Sequence, residues 1–471
     1  MVSMNFNKTI LQLKKSLNNR IKEGGFKTVG LGQSAYSRMG ASNFLTDYSI
    51  ICVKDSLENE TLKKGGINIA SCVNMNLHID PKNSVGILSS NFFINYIKKN
   101  KITHVLVYKT TTKTEELINN LDLKLAGNSA VISESYENKN FFFSLVRKLN
   151  LPYPAGEQVK RGALDVKNYS FLERKYHRFV IQRTDMDKGG GLSTYFIASR
   201  TDFANFLKES IQNHVTLNIT KFIEGKACSA TGCVTQNGII CSPLQYQLID
   251  IPQISNTGMK GVWCGHDWLA SKKFTDLAQK RKNSILETMG KELFKLGYKV
   301  IFGIDFMIDA QDNLYPIECN PRYTGAFPAY TFFQLAKQQI PLELIHLLEH
   351  YHVDYDLNIE EVNKQLATFE GSQLILRSLV NEDIIIKSIM KPGKYGFNNG
   401  KLEFLSDNNL PLFGSSNEIV ICDAIPKIGN KVAAYDRIGK IIFADQIGEE
   451  DLSLDEKTKK ILDIFYTKLK Y

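Results

Sequence analysis

Acidic, amide and basic side chains recur at alternate positions in one stretch of this sequence, residues 303–322. Apolar residues fill most positions between them, and a short polar segment divides the stretch into two runs, a pattern that predicts a β-hairpin. A turn centred on that segment would place Asp305 directly opposite Glu318. Because the side chains of a strand alternate between its faces, Asn320 and Arg322 would share the face of these two acids.

The predicted polar face of this hairpin suits a hard metal ion. Carboxylates directly opposite each other repel, so the pairing of Asp305 with Glu318 is unfavourable unless a cation lies between them. Two acids and the amide of Asn320 form an all-oxygen set that suits Mg2+, and Arg322 is placed to hold an anion beside the metal. The alternative is a hairpin whose acids simply face water. The opposite face is predicted to enter a core and comprises Ile304, Phe306, Ile308, Ile317 and Cys319.

A glycine-rich loop is a second candidate for chemistry. Three successive glycines disfavour both helix and strand, but they let backbone N–H groups close over phosphate oxygens, with hydroxyl side chains beside them. A flexible hairpin tip is the alternative, and the loop lacks the Gly-Lys-Ser/Thr of a Walker A motif. The candidate phosphate contacts are Lys188, Gly189, Gly190, Gly191, Ser193 and Thr194.

The segment 258–268, rich in glycine and aromatic residues, is a candidate substrate loop. It holds both tryptophans of the chain together with Lys260 and His266. A histidine in such a segment is more often a hydrogen-bonded structural residue than a catalytic one. Tyr323 and Thr324, directly after the hairpin, are further candidates for substrate contact.

Alternating strands and helices organise the N-terminal part of the chain. Strands are predicted over 26–31 and 48–53 with a helix near 33–45, which indicates an open, largely parallel sheet. A Gly-x-Gly-x-x-Ala motif at Gly30 and Gly32 follows the first strand, so a dinucleotide site is a second interpretation. The acid expected after the next strand comes late, which favours an ordinary tight turn instead.

A helix predicted over 330–350 should be broken or kinked at Pro341, because proline lacks the N–H that a helix interior needs. Within it, His346 and His350 lie four positions apart, a formal match to an inverted zinc-protease motif. The downstream acid that such a site needs is missing from the pattern, so a histidine-rich helix end is the favoured interpretation.

Composition is typical of a globular protein that binds small anions. The chain has 471 residues, is 43% hydrophobic and 23% charged, and carries a formal charge of +9 from dispersed basic residues, a pattern that does not suggest a nucleic-acid surface. The eight cysteines include no Cys-x-x-Cys motif, which favours reduced buried thiols and a cytoplasmic location. No apolar run approaches the length of a membrane span.

Taken together, the hairpin, the glycine loop and the preceding sheet resemble the ATP-grasp superfamily of ATP-dependent ligases over residues 25–350. The resemblance implies a Rossmann-like domain at 1–130 and an ATP-grasp domain at 131–355 whose lobes divide near residue 222. Residues 366–471 are predicted to form a small β-rich domain, as a barrel or a sandwich. The expected fold class is therefore multidomain, α/β and α+β.

The resemblance also implies roles for individual residues. Asp305, Glu318 and Asn320 would hold Mg2+, with Mn2+ as an alternative ion. Arg322 would stabilise the transferred phosphoryl group, and Lys139, at the start of a helix, would contact the phosphates of ATP. The strand that links the lobes would contact adenine through Lys221, Phe222 and Ile223.

Three positions depart from the usual pattern of this family. Gln182 stands where the strand before the glycine loop usually carries a lysine, as it also does in some subfamilies that join amino acids or peptides. Thr220 replaces an acid that often precedes the adenine contacts. Ala227 stands at the position of the ribose-binding acid, for which Glu224 would substitute.

The activity that the resemblance implies is phosphoryl transfer from ATP to a carboxylate, followed by attack of an amine on the acyl phosphate. The products would be an amide, ADP and phosphate. The alternatives are carboxyphosphate formation of the biotin-carboxylase type and a module that binds nucleotide without turnover. The expected partners are a small carboxylate and an amine, and a homodimer is compatible with the sequence. Neither nucleic acid nor a membrane is an expected partner.

Overall fold

The computed structural model of the protein describes residues 6–75, 77, 84–185, 193–255, 260–408, 410, 413–449 and 453–471. The α-helices are α1 (Phe6–Gly24), α2 (Glu58–Lys64), α3 (Val85–Leu88), α4 (Asn91–Asn100), α5 (Thr112–Asn120), α6 (Ala130–Glu137), α7 (Lys139–Lys148), α8 (Asn168–Tyr176), α9 (Arg200–Leu207), α10 (Asp276–Lys295), α11 (Ala329–Ala336), α12 (Leu342–His350), α13 (Ile359–Leu366) and α14 (Glu456–Lys468). The strands are β1 (Thr28–Gly32), β2 (Tyr48–Cys52), β3 (Asn68–Ser71), β4 (His104–Leu106), β5 (Lys124–Leu125), β6 (Gly156–Lys160), β7 (Phe179–Arg183), β8 (Thr194–Ile197), β9 (Thr216–Lys221), β10 (Lys226–Thr235), β11 (Gly238–Cys241), β12 (Gln245–Ile249), β13 (Trp263–Asp267), β14 (Val300–Ile308), β15 (Leu314–Asn320), β16 (Ser372–Arg377), β17 (Ile384–Ile385), β18 (Gly393–Asn398), β19 (Lys401–Ser406), β20 (Glu418–Cys422), β21 (Lys431–Val432) and β22 (Arg437–Phe443).

The N-terminal sheet is parallel, with strand order β3-β2-β1-β4-β5. This confirms the predicted Rossmann-like arrangement. The helix predicted near 33–45 is wrong, because the segment forms two short 3-10 helices, Tyr36–Arg38 and Gly40–Asn43. The Oγ of Ser37 donates to the carbonyl of Ser34 at 2.7 Å, and the Oγ of Ser42 donates to that of Met39 at 2.6 Å. Local bonds from serine side chains to the backbone compete with a regular helix.

The glycines of the Gly-x-Gly-x-x-Ala motif serve packing in this structure. A Cβ on Gly30 would lie 2.0 Å from the hydroxyl of Tyr48, and one on Gly32 would lie 2.4 Å from the Oγ of Ser37. Side chains therefore pack closely against both glycines, and the segment after the motif forms 3-10 helices where a dinucleotide site needs the N-terminus of an α-helix. A tight turn explains the motif better than a dinucleotide site does.

Two antiparallel sheets follow along the chain. A four-stranded sheet has the order β6-β9-β7-β8, and α8 and α9 enclose its aromatic core. The large sheet has eleven strands and begins with β15-β14-β10-β12-β13, in which β10 pairs with β14 over nine residue pairs. The apolar faces of β10, β14 and β15 pack with α7 and α10.

The C-terminal strands continue the large sheet through the pairing of β16 with β13. The order then runs β16-β22-β20-β18-β19, and the two-stranded sheet β17-β21 and α14 pack on the same core. The predicted β-rich composition of this part is confirmed. Its strands extend the sheet that carries the acidic hairpin, so this part of the chain borders the same site.

The predicted break at Pro341 is confirmed, since α11 ends at Ala336 and Pro341 is the N-cap of α12. His346 lies buried and its Nε2 is 3.1 Å from the carbonyl oxygen of Ala126. Within the described ranges, no three His, Cys, Asp or Glu side chains are grouped so that they could hold a metal ion. All eight cysteines are buried and unpaired. None of the helices in the described segments is long and apolar enough to cross a membrane.

Candidate functional site

A cavity of about 660 Å³ lies where the four-stranded sheet faces the large sheet. Its walls come from β7, β8 and β9 on one side and from β10, β12, β13, β14 and β15 on the other. Basic side chains outnumber acids among the described residues of its lining, which favours an anionic ligand. The charged residues of the lining are Lys139, Lys221, Arg322, Arg377, Asp305 and Glu318.

The hairpin of β14 and β15 places both acids in this cavity. Asp305 is directly opposite Glu318, which confirms the predicted register. A β-bulge follows, because Phe306 pairs with Pro316 and leaves Ile317 without an opposite residue. The prediction that Ile317 enters the core is therefore wrong, since it is half-buried and lines the cavity. The other four residues predicted for that face are buried.

Asp305 is half-buried and held by neighbouring amides. Its Oδ1 accepts a hydrogen bond from Gln247 Nε2 at 2.7 Å, and its Oδ2 accepts one from Asn320 Nδ2 at 3.1 Å. Burial, followed by the facing charge of Glu318, raises the pKa of Asp305 to about 7. Two carboxylates and an amide oxygen at this point fit a divalent cation, because such an ion would remove the repulsion that raises this pKa.

Mg2+ is expected to stabilise the protein more at high pH than at low pH. The pKa of Asp305 in the folded chain, about 7, exceeds its usual value of 3.8. Between these two pH values the carboxyl of Asp305 is protonated in the folded state and ionised in the unfolded state. The free energy of unfolding of the metal-free protein therefore falls as pH rises through this range. Since Mg2+ needs the carboxylate, its increase in Tm should be larger at about pH 8 than at about pH 5.5. A Mg2+ effect that is equal at both pH values, or unchanged in Asp305→Asn, would contradict this expectation.

Arg322 is fixed by four hydrogen bonds in which its guanidinium is the donor. Nε donates to Glu137 Oε1 at 2.5 Å, and Nη2 donates to Asn320 Oδ1 at 2.7 Å. Nη1 donates to the hydroxyl of Tyr108 at 2.7 Å and to a backbone carbonyl. Lys109 also pairs with the buried Glu137, at 2.6 Å. The nearby Tyr108 and Glu137 help to hold the pKa of Arg322 above its ordinary value, although burial opposes them.

The phosphate-contacting candidates are described only in part. Lys139 is the first residue of α7, and its ammonium donates to the Oγ of Ser193. Gln182 and Thr194 are paired across β7 and β8 and line the cavity. Lys188, Gly189, Gly190 and Gly191 lie outside the described residues. Of the predicted phosphate contacts, Lys139 and Ser193 therefore lie together at the N-terminus of α7.

The predicted adenine contacts lie at the junction of the two sheets. Lys221, Phe222 and Ile223 line the cavity, and the Phe222 ring meets that of Phe196 at a centroid distance of 6.2 Å. Glu224 is directed elsewhere: its side chain is 78% exposed and forms an ion pair with Arg178. Its role in ribose binding stays a prediction, to which the placement adds no support.

The substrate candidates separate into two groups. His266 and Thr324 line the cavity, whereas Tyr323 is buried behind it and Lys260 is exposed outside its lining. Burial lowers the pKa of His266 to about 3, and its Nδ1 meets the side chain of Gln373 at 3.0 Å. A neutral imidazole held in this way can donate or accept a hydrogen bond but offers little charge.

Several lining residues were absent from the sequence prediction. They come from elements that are distant in the sequence, and only the fold brings them to the site. They are Tyr108, Asn218, Gln245, Gln247, Arg377 and Tyr435.

Comparisons with known proteins agree with this architecture. Residues 136–326 match the sequence model of the ATP-grasp domain. Biotin carboxylase from Campylobacter jejuni has a similar structure, with a TM-score of 0.63 and 12% identity over 94% of this chain and 91% of that one. N5-carboxyaminoimidazole synthase from Aspergillus clavatus, in complex with ADP and 5-aminoimidazole ribonucleotide, has a TM-score of 0.56 and 10% sequence identity. The alignment covers 93% of this chain and 99% of that one. Phosphoribosylamine–glycine ligase from Thermotoga maritima has a TM-score of 0.55 and 12% sequence identity, over 94% of this chain and 97% of that one.

At these identities the similarity to solved structures is one of fold. The matched segment contains Lys139, both sides of the adenine junction and the whole acidic hairpin. The match to the ATP-grasp domain model therefore covers residues 136–326, and the chain shares its fold with these solved structures.

Proposed function

We propose that the protein is an ATP-dependent ligase that activates a substrate carboxylate as an acyl phosphate and couples it to an amine. The observation that supports this most directly is the facing pair Asp305 and Glu318, in one cavity with Arg322 and Lys139. Phosphoryl transfer requires carboxylates that bind a metal ion and basic side chains that bind phosphate oxygens, and this cavity has both. ADP and phosphate would leave with the amide.

The role of each residue follows from its charge and position. Asp305, Glu318 and Asn320 would hold Mg2+, which neutralises phosphate charge when it is bound with ATP. Lys139 would hold phosphate oxygens at the N-terminus of α7, where the helix dipole also favours anions. Arg322 would stabilise the negative charge that develops on the transferred group.

The remaining contacts support the same assignment. The backbone at 221–223 would hold adenine, and the loop at 188–194 would close over the phosphates and exclude water from the acyl phosphate. Gln182 supports a subfamily that joins amino acids or peptides. The eight buried, unpaired cysteines support a cytoplasmic location.

Measurement of ADP release tests this proposal. Mg2+-ATP would be supplied with amino acids and small di- and tricarboxylates, each alone and with amines. We expect ADP release only where a carboxylate is present, with amide formation when the amine is added. Release with bicarbonate alone would instead indicate carboxyphosphate chemistry, for which the fold shared with biotin carboxylase is the supporting observation. Tight ATP binding without ADP release across the panel would contradict both.

Glu137→Gln is expected to lower kcat about 10- to 100-fold while the KM for ATP changes little, because Glu137 positions Arg322 and need not touch ATP itself. The amide retains the volume of the buried side chain but removes its charge from Arg322 Nε and from Lys109. Steady-state kinetics would measure the split between kcat and KM. Glu137→Asp, which keeps the charge, should recover part of the loss. Equal losses in both variants would show that Glu137 acts through the stability of the fold instead.

A further inference from the structure

The guanidinium of Arg377 borders the cavity without a protein partner in the described part of the chain. Arg377 ends β16, where Leu374 and Leu376 face a core and the alternate positions face the other way. It is half-buried and lines the cavity, and its buried Nε has no hydrogen-bond partner. A buried donor without a partner loses its hydrogen bonds to water without replacement, so this arrangement is unfavourable without a ligand.

Two acids next to strands β20 and β22 are already engaged. Asp423 pairs with Arg437 and, at 3.3 Å, with Lys440. Asp436 pairs with Lys54 at 2.8 Å. Each of these acids therefore has its own cationic partner, and none supplies a hydrogen bond or ion pair to the guanidinium of Arg377.

A further acid, Asp250, is satisfied by the backbone. Both carboxylate oxygens of Asp250 accept backbone N–H groups, from Gly261 and Val262, at 2.8 Å. Burial lowers the pKa of Arg377 and the charge of Arg437 lowers it further, whereas Cys264 and Asp436 oppose this decrease. An anion entering the cavity would relieve both effects, because it would pair with the guanidinium and solvate its donors.

Arg377 is remote from the acidic hairpin. The strands between them are β10, β12 and β13, so β14 and β16 are four strand spacings apart, or roughly 19 Å at about 4.8 Å per spacing. The group that binds at Arg322 cannot also bind at Arg377. Between the two arginines the lining includes Gln247, His266 and Trp263, all without formal charge.

We propose that Arg377 binds a second anionic group of the substrate, a carboxylate or a phosphate, at the end of the cavity opposite the reacting carboxylate. This rests on the proposed function, because it takes the Arg322 end as the site of phosphoryl transfer. The substrate pair then includes an extended molecule with a neutral middle and an anionic end. The rings of Trp263 and Tyr435 and the backbone at Val262 line its path to Arg377.

The test compares matched compounds that differ in one anionic group. Amino acids would be compared with their carboxamides, dicarboxylates with their monoamides, and O-phosphoserine with serine. Binding in the presence of Mg2+-ADP would be measured by calorimetry, and ADP release would be measured with Mg2+-ATP. The wild type should favour the anionic member of at least one pair by roughly 10- to 100-fold, and Arg377→Met should remove that preference while binding of the neutral member stays unchanged. The pair that shows the preference distinguishes carboxylate from phosphate.

Controls make each outcome decisive. Arg174→Met, on the exposed face of α8, should behave as the wild type. Should Arg377→Met not fold, Arg377→Lys keeps the charge without the planar fork and should retain only part of the preference. Absence of any preference in the wild type, or a preference that is undiminished in the Arg377 variants, would overturn the proposal. Absence of ADP release with every pair would overturn the proposed function instead, since calorimetry does not depend on turnover.

Discussion

Asp305→Asn is expected to lower ADP formation by at least about 10³-fold, equivalent to about 4 kcal/mol in activation free energy, because one of two metal-binding carboxylates loses its charge. Glu318→Gln should have an effect of the same order. The measurement is single-turnover ADP formation at saturating Mg2+-ATP with the substrates found in the screen. Turnover at the wild-type rate in either variant would contradict the assignment of this pair to the metal.

Stability should change in the opposite direction. Asp305 has a raised pKa in the folded protein, so its ionisation near neutral pH opposes folding, and Glu318 contributes to this opposition. Asn keeps the shape of the side chain and removes the repulsion. The metal-free Asp305→Asn protein should therefore have a higher Tm than the metal-free wild type at about pH 8. Lower activity together with higher stability separates loss of function from loss of fold.

Asp312→Asn provides a matched control on the same hairpin. Asp312 lies in the turn, where it accepts a hydrogen bond from Thr275 Oγ1 at 2.7 Å, and it does not line the cavity. Its backbone φ of 59° is one that asparagine tolerates. This variant makes the same chemical change in the same element and should keep full activity.

The hairpin could be predicted because its information is local. Alternation of side chains and a polar turn determine which residues face each other, and these placed Asp305 opposite Glu318. The bulge that turns Ile317 towards the cavity leaves the alternation of the sequence unchanged. Its position depends on how β14 and β15 pair, which the pattern of either strand alone does not specify.

The environment of Arg322 could not be predicted, because its partners are distant in sequence. Glu137 and Tyr108 lie 185 and 214 residues away from it. The glycine motif at residues 30–35 shows the converse, since a familiar local pattern was consistent with two functions. The Tyr48 hydroxyl packed against Gly30 decides between them, and that contact exists only in the folded chain.

For the C-terminal strands, local sequence pattern predicted one property and contacts between distant residues determine another. Their existence followed from short apolar runs separated by turn residues, whereas their position depends on the pairing of β16 with β13 across the chain. Gly265 pairs with Leu374 in that contact and His266 pairs with Gln373. This pairing brings Arg377 to the cavity, so a basic residue with no local motif around it becomes a candidate for substrate binding.

Arg322→Met is expected to lower kcat by about 10²- to 10⁴-fold, because it removes the positive charge that we propose stabilises the transferred group. Binding of Mg2+-ATP should change much less, since Lys139 and the acidic pair remain. Arg322→Lys should recover only part of the rate. Lysine keeps the charge but cannot donate in one plane to Glu137, Asn320 and Tyr108 as the guanidinium does.

The fold should survive the loss of Arg322 because its buried partner keeps a cation. Glu137 remains paired with Lys109 at 2.6 Å, so removal of the arginine does not leave an isolated charge in the interior. Thermal unfolding and calorimetry with Mg2+-ATP would establish that the variants fold and bind, and single-turnover ADP formation would then report the chemical step alone. Equal losses in ATP affinity and in kcat would show that Arg322 binds the ground state. An unchanged kcat would remove it from the reaction altogether, and the charge that stabilises the transferred group would then have to come from Lys139.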